Sequence, residues 1–281
     1  MKKVALADLK INILEDRELE KAVEIFREAH LDLKPILNRI TLKTKSGKEY
    51  TGDFFFDALM NFEQQLPSMS IEDNLRFTGG YINNIGRLLN LCPDYFELYF
   101  SRARIMTAAY ADREHDLFSR RDKLDTDPEL ILLKKEISDS FSIVRQNLIT
   151  ALVLFTKFYN ADPYPPLKFY RTEIRGILAA NYRRWAFFNA RANPENNADR
   201  KTRDEIYKSA LLAIRIYQDL FEHECFPDIT HAGRLLANFA NAMKILPDAR
   251  QTGLQYYEAA REICGDKPEI LEGIEYYKKF E

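Results

Sequence analysis

Glycine is scarce in this chain, at 10 of 281 residues, and cysteine is scarcer, at three. Few glycines leave few positions for the positive-φ backbone of tight hairpins, which argues against a strand-rich fold. Cys92, Cys225 and Cys264 are odd in number and far apart. They do not form a disulfide framework and read as thiols of a reducing compartment. No run of 18 apolar residues is present, so no membrane span is expected. The start, Met1-Lys2-Lys3, opens like an export signal, but Asp8, Lys10, Asn12, Glu15 and Asp16 interrupt the apolar stretch such a signal needs. The expected location is cytoplasmic. An excess of one charge is also missing. Lys plus Arg (41) nearly balances Asp plus Glu (43), for a formal charge of -2. That balance makes no global case for nucleic acid or an anionic membrane.

Motifs of chemistry are missing too. No GxSxG, Walker or GxGxxG sequence occurs. Lys45-Ser46-Gly47-Lys48 lacks the upstream glycine of a phosphate loop and reads as a hairpin turn. His223, Cys225 and His231, flanked by Glu222 and Glu224, offer ligand types that zinc uses. Their spacing matches no CxxC or HExxH pattern, and no fourth ligand is evident, so they read as a polar interhelical loop. His30 and His115 stand apart from any nucleophile. The expectation is a protein with no metal, no cofactor and no catalytic residues.

What is present is helical periodicity. Leu19, Ala22, Val23, Ile25, Phe26 and Ala29 open a helix in residues 17–40 that Pro35 breaks or kinks. Ile40 to Thr44 then alternate apolar and polar residues, and Glu49-Tyr50-Thr51 follow Ser46-Gly47. That pattern predicts one small β-hairpin near residues 40–52, packed on a helix. Helix resumes over 53–66, and Ser70 with Asp73 marks a further start. Later helices are expected at 81–91, 95–122, 129–159, 167–191, 203–223, 229–246, 248–264 and 268–280. Thr202 with Glu205 forms a candidate capping box, and Asp228 or Thr230 can cap the next helix. Pro163, Pro165 and Pro166 make the best linker. The expected organisation is an N-terminal helical region with the hairpin (1–66), a second helical region (67–160) and a C-terminal helical region (161–281).

Leu236, Phe239, Ala240 and Met243 stand at positions 0, 3, 4 and 7 of one helix. Gly253, Tyr257 and Ala260 follow in the next, and Gly265 ends it. A partial second set straddles Pro93, with Ile85 before it and Tyr99, Ala103 and Met106 after it. Arg102 there stands where leucine is expected. A weaker third set pairs 170–190 with 203–222, where Ala213 and Tyr217 have the second-helix spacing. This pattern resembles the tetratricopeptide repeat (TPR), a helical hairpin of about 34 residues. The resemblance implies an all-α fold of antiparallel helical hairpins stacked as a TPR-like solenoid. Another helical-hairpin array or bundle also fits.

Arg171, Arg175 and Tyr182 fall on nearly one face of the 167–191 helix, and Asn181 interrupts its core stripe. Arg234 and Asn238 are i,i+4 on the 229–246 helix, with Asn241 beside them. Those seven are the candidate partner-binding residues. They resemble the Asn and basic clamp with which some TPR proteins hold a peptide backbone or carboxylate. They also fit ordinary surface charges and a satisfied buried amide. Residues 165–215 carry eleven Lys or Arg against five Asp or Glu. Aromatics there have core spacing, so an acidic peptide or partner helix matches the excess better than nucleic acid. The expected function is a non-enzymatic adaptor that binds a partner peptide or helix. The alternatives are a structural subunit of a larger assembly and a helical enzyme or small-ligand regulator.

Overall fold

The computed structural model describes residues 12–13, 41–43, 49–51, seven scattered positions between 82 and 94, and 96–121, 124, 126–159, 165–193, 199–226 and 228–279. The helices expected over 17–40 and 53–66 and the start at Ser70 lie outside them, as does His30. The described residues are mostly helical. The chain divides into two units, one of residues 17–154 and one of residues 1–16 with 155–281.

In the first unit, α1 runs Phe96–Ser119, and α2 (Pro128–Tyr159) begins there. Asp127 starts α2 by accepting the Glu129 backbone N–H at 2.9 Å, with Pro128 at a position whose missing N–H has no partner to lose. Phe96, Leu98, Phe100, Ala103, Ile105, Met106 and Ala109 are buried on opposite sides of α1. Ile137, Phe141, Val144, Leu148 and Ala151 bury one side of α2. Arg113 on α1 bonds Glu136 on α2 at 2.6 Å. Arg102 is half-buried among the apolar residues of α1, so its departure from the apolar pattern is accommodated rather than exposed. Two short strands also fall in this unit, β2 (Thr41–Lys43) and β3 (Glu49–Thr51). They pair antiparallel, Leu42 opposite Tyr50, and the residues between them lie outside the described ones.

The second unit holds α3 (Pro165–Ala192), α4 (Arg200–His223), α5 (Ile229–Met243), α6 (Arg250–Cys264) and α7 (Pro268–Lys278). Two starts differ from the sequence expectation. Pro165 and Pro166 lie inside the first turn of α3, because proline there forfeits only N–H groups that have no intrahelical acceptor. Asp199, not Thr202, caps α4. Its carboxylate accepts the Thr202 N–H at 2.7 Å, and that bond holds its pKa below the ordinary value. Asp228 caps α5 through the His231 N–H at 2.6 Å. Gly265 ends α6 at φ 77°, a conformation glycine adopts without the steric cost of a Cβ. Strand β1 (Asn12–Ile13) pairs parallel with β4 (Cys225–Phe226), Ile13 beside Phe226. The sequence carried no strand signal at either place.

The core of this unit joins all five helices. α3 packs on α4, α5 on α6, α4 on α5 and α6 on α7, and α5 also touches α3 and α7. Ile206, Ala210, Ala213, Ile214, Tyr217, Leu220 and Phe221 recur at helical spacing and form the buried stripe of α4. Close approach depends on small residues. A Cβ at Gly233 would meet Cys264 and Ile263. Gly253-x-x-x-Tyr257 on α6 and Gly273-x-x-x-Tyr277 on α7 interlock: the Tyr277 ring covers Gly253, and the Tyr257 ring covers Gly273. The Tyr277 hydroxyl then donates to the Ala240 carbonyl at 2.7 Å, tying α7 to α5.

Gly273→Ala is expected to lose about 1–3 kcal/mol in chemical denaturation, because overpacking against the Tyr257 ring outweighs the better helix propensity of alanine. A second expectation concerns Glu97, buried in the first turn of α1, whose pKa burial raises from 4.5 to about 7. The folded state then binds a proton that the unfolded state has released, so stability falls as pH rises from about 4.5 to 7. Glu97→Gln should flatten that slope and stabilise the protein at pH 8; an unchanged slope in denaturation series across this range would refute the assignment.

Candidate functional site

The two arginines of α3 converge on one buried carboxylate. Glu224 closes the last turn of α4, where its backbone N–H donates to the Leu220 carbonyl at 3.0 Å. Its side chain is 1% exposed. Arg171 Nε lies 2.8 Å from Glu224 Oε1, and Arg171 Nη2 donates to Oε2 at 2.9 Å. Arg175 Nη1 donates to Oε1 at 2.8 Å, and its Nη2 bonds Asp219. That bond is the main reason the Asp219 carboxyl sits below its usual pKa. His223 Nδ1 lies 3.2 Å from Asp219, and His231 Nε2 lies 3.3 Å from Glu173. A charged network therefore joins α3 to the end of α4 and the start of α5. Two planar guanidinium groups satisfy a carboxylate that could not otherwise be buried.

The seven candidate residues separate into two groups. Arg171 and Arg175 are engaged with Glu224, at 23% and 20% exposure. Asn181 is buried. Tyr182 packs its ring against the core and accepts the Ser209 hydroxyl on its carbonyl at 2.9 Å. These four serve contacts inside the unit. On α5, Arg234 is exposed and Asn238 and Asn241 are half-buried. The side chains of these three have no hydrogen-bond or ion-pair partner among the described residues. Their spacing places them along one side of a helix whose other side is core.

His223, His231 and Glu224 of the cluster noted in the sequence have partners of their own. Glu224 is committed to arginine, His223 to Asp219 and His231 to Glu173. Among the described residues no three His, Cys, Asp or Glu side chains are placed to hold a metal ion. None of the described helices is long and apolar enough to cross a membrane.

A third feature had no sequence signal. Lys244 follows α5, and its ammonium lies 5.1 Å from the Tyr257 ring centre and 4.8 Å from that of Tyr276. Burial, with the nearby charge of Arg183 second, lowers its pKa to about 8, and Glu272 opposes that shift. A lysine in an interhelical turn reads as solvated from sequence. Only the packing of α6 and α7 puts two aromatic faces beside it.

Comparisons with protein-family models, curated proteins and solved structures found no match.

Glu224→Gln is expected to lose about 3 kcal/mol, since it leaves two partly buried guanidinium groups facing a neutral amide. Denaturation should show a larger loss for Glu224→Gln than for Arg171→Gln, where Arg175 still neutralises the carboxylate.

Proposed function

We propose that the second unit is a TPR-like array of helical hairpins and that this non-enzymatic protein binds a partner peptide or helix along α5. The observation that carries the reading is the row of Arg234, Asn238 and Asn241, whose side chains have no partner among the described residues. A helix packed on four others ordinarily spends or solvates its polar residues. Here three stand one or two turns apart, a cation beside two amides. Such a row can hold backbone amides and a carboxylate through directional bonds. The order of packing supports the array reading, because each helix touches its neighbour in sequence and α5 touches the next but one on both sides. The Gly253 and Tyr257 pair supports it as well, since both lie at the interlocked crossing of α6 and α7. In this reading the strands β2 and β3 form the hairpin expected near residues 40–52, an accessory of the N-terminal region. The partner side chain that meets Arg234 is acidic.

The structural-subunit reading draws on a different observation. Ile131, Leu132, Ile143, Ile149 and Val153 of α2 are exposed, an apolar face on a long helix.

The test compares affinity purifications of the wild type and of an Arg234→Glu, Asn238→Ala, Asn241→Ala variant from the source cell. Proteins retained by the wild type should be lost, by at least tenfold, from a variant whose circular dichroism and melting are unchanged. Equal retention by both would remove α5 as the binding face.

A further inference from the structure

Strand β4 is anchored at three points without the help of β1. Just before it, Glu224 is gripped by Arg171 and Arg175 of α3. Within it, Phe226 is 0% exposed, its ring 5.1 Å from that of Phe221 on α4 and 6.4 Å from that of His231 on α5. Just after it, Asp228 caps α5. Both α3 and α5 pack against the strand. Among the described residues its one strand partner is β1, two residues long and parallel, with Asn12 beside Cys225 and Ile13 beside Phe226.

The strand that docks there is attached differently. Residues 1–16 go with the second unit, whereas the chain from Arg17 to Leu154 belongs to the first. Thus β1 docks on a unit to which the residues that follow it do not belong, which is the arrangement of an exchangeable element. A ladder of two residues makes few hydrogen bonds, each weak in net terms, so it opens more readily than the helices around it. When it opens, β4 keeps its anchors and presents an unpaired edge, a template for another strand. Backbone pairing sets the direction of that strand. The buried ring of Phe226 sets a preference for an apolar, β-branched residue beside it.

We propose that the edge of β4 is a docking site for an extended segment, filled within the chain by Asn12–Ile13, and that the same segment of a second copy can replace them there. A second copy offers the very sequence that the site holds in this structure, in the same parallel register and with isoleucine beside Phe226. Two chains joined in this way exchange their β1 strands. The site uses none of the residues of the α5 row, so it stands or falls independently of the partner-binding reading.

The test titrates the full chain with a fluorescently labelled synthetic peptide of residues 1–16. Proline in place of Ile13 removes its N–H and disfavours the ladder. The Ile13→Pro chain should bind the wild-type peptide saturably and at least about tenfold more tightly than the wild-type chain, whose own strand competes at high effective concentration. A peptide carrying the same proline should bind at least about tenfold more weakly than the wild-type peptide. Sedimentation of the wild-type chain should show a dimer that grows with concentration and recedes in excess peptide. Should Ile13→Pro fail to fold, hydrogen exchange of the wild type decides the question. The β4 amides should exchange faster than those of α4 and α5 on either side, and excess peptide should slow them. Absence of peptide binding to the Ile13→Pro chain, equal binding of the two peptides, or β4 amides that exchange only together with the helices would overturn the site. A wild type that stays monomeric at every concentration would overturn the exchange between copies.

Discussion

Tyr257 and Tyr277 each occupy space that a β-carbon on the opposite helix would need. That exchange of ring for hydrogen sets the separation of α6 and α7, and much of the second unit follows from it. With the helices so close, the Tyr277 hydroxyl reaches the Ala240 carbonyl and holds α7 against α5. The Tyr257 ring, pinned over Gly273, presents a face to Lys244, and Tyr276 presents another. A side chain at either glycine would push α7 outward, loosen the hydroxyl and dissolve the lysine cage together. One steric constraint thus couples the packing of three helices to the electrostatics of one cation.

The second unit handles buried charge in two opposed ways. At Glu224 the carboxylate is surrounded by two guanidinium groups and the end of α4, so the charge is balanced within the chain. At Lys244 the ammonium faces two aromatic rings instead, and none of the described carboxylates forms an ion pair with it. The network at Glu224 also ties the turn before β4 to α3, and β4 pairs with β1, so the ion cluster and the strand pair secure the same stretch of chain.

Much of the helical content is legible in the order of residues alone. Apolar spacing of 3, 4 and 7 marks the helices beginning near 95, 129, 203, 229, 248 and 268, because one buried face per helix leaves a direct trace in the sequence. Asp228 is legible as a cap for the same local reason. The departures are also local in kind. Thr202 sits three residues after Asp199, and either can start a helix. Asp199 takes the role by accepting the Thr202 N–H. Pro165 and Pro166 look like a linker, yet two prolines suit a first helical turn as well as a break. The candidate binding residues are harder. Arg171 and Arg175 read as available cations because Glu224, some fifty residues away in sequence, carries no mark of being their partner.

The sequence by itself determined helix identity and the small residues at crossings, since both are set by neighbours within one or two turns. Tertiary structure decided which charges are spent. Whether an arginine meets a carboxylate or a lysine sits beside two rings depends on residues far apart in the chain that the fold brings together. No periodicity encodes that, because pairing across helices is fixed by packing distance and not by spacing along the chain. Arg234, Asn238 and Asn241 are visible as a row from spacing alone. Their lack of partners among the described residues is a property of the fold.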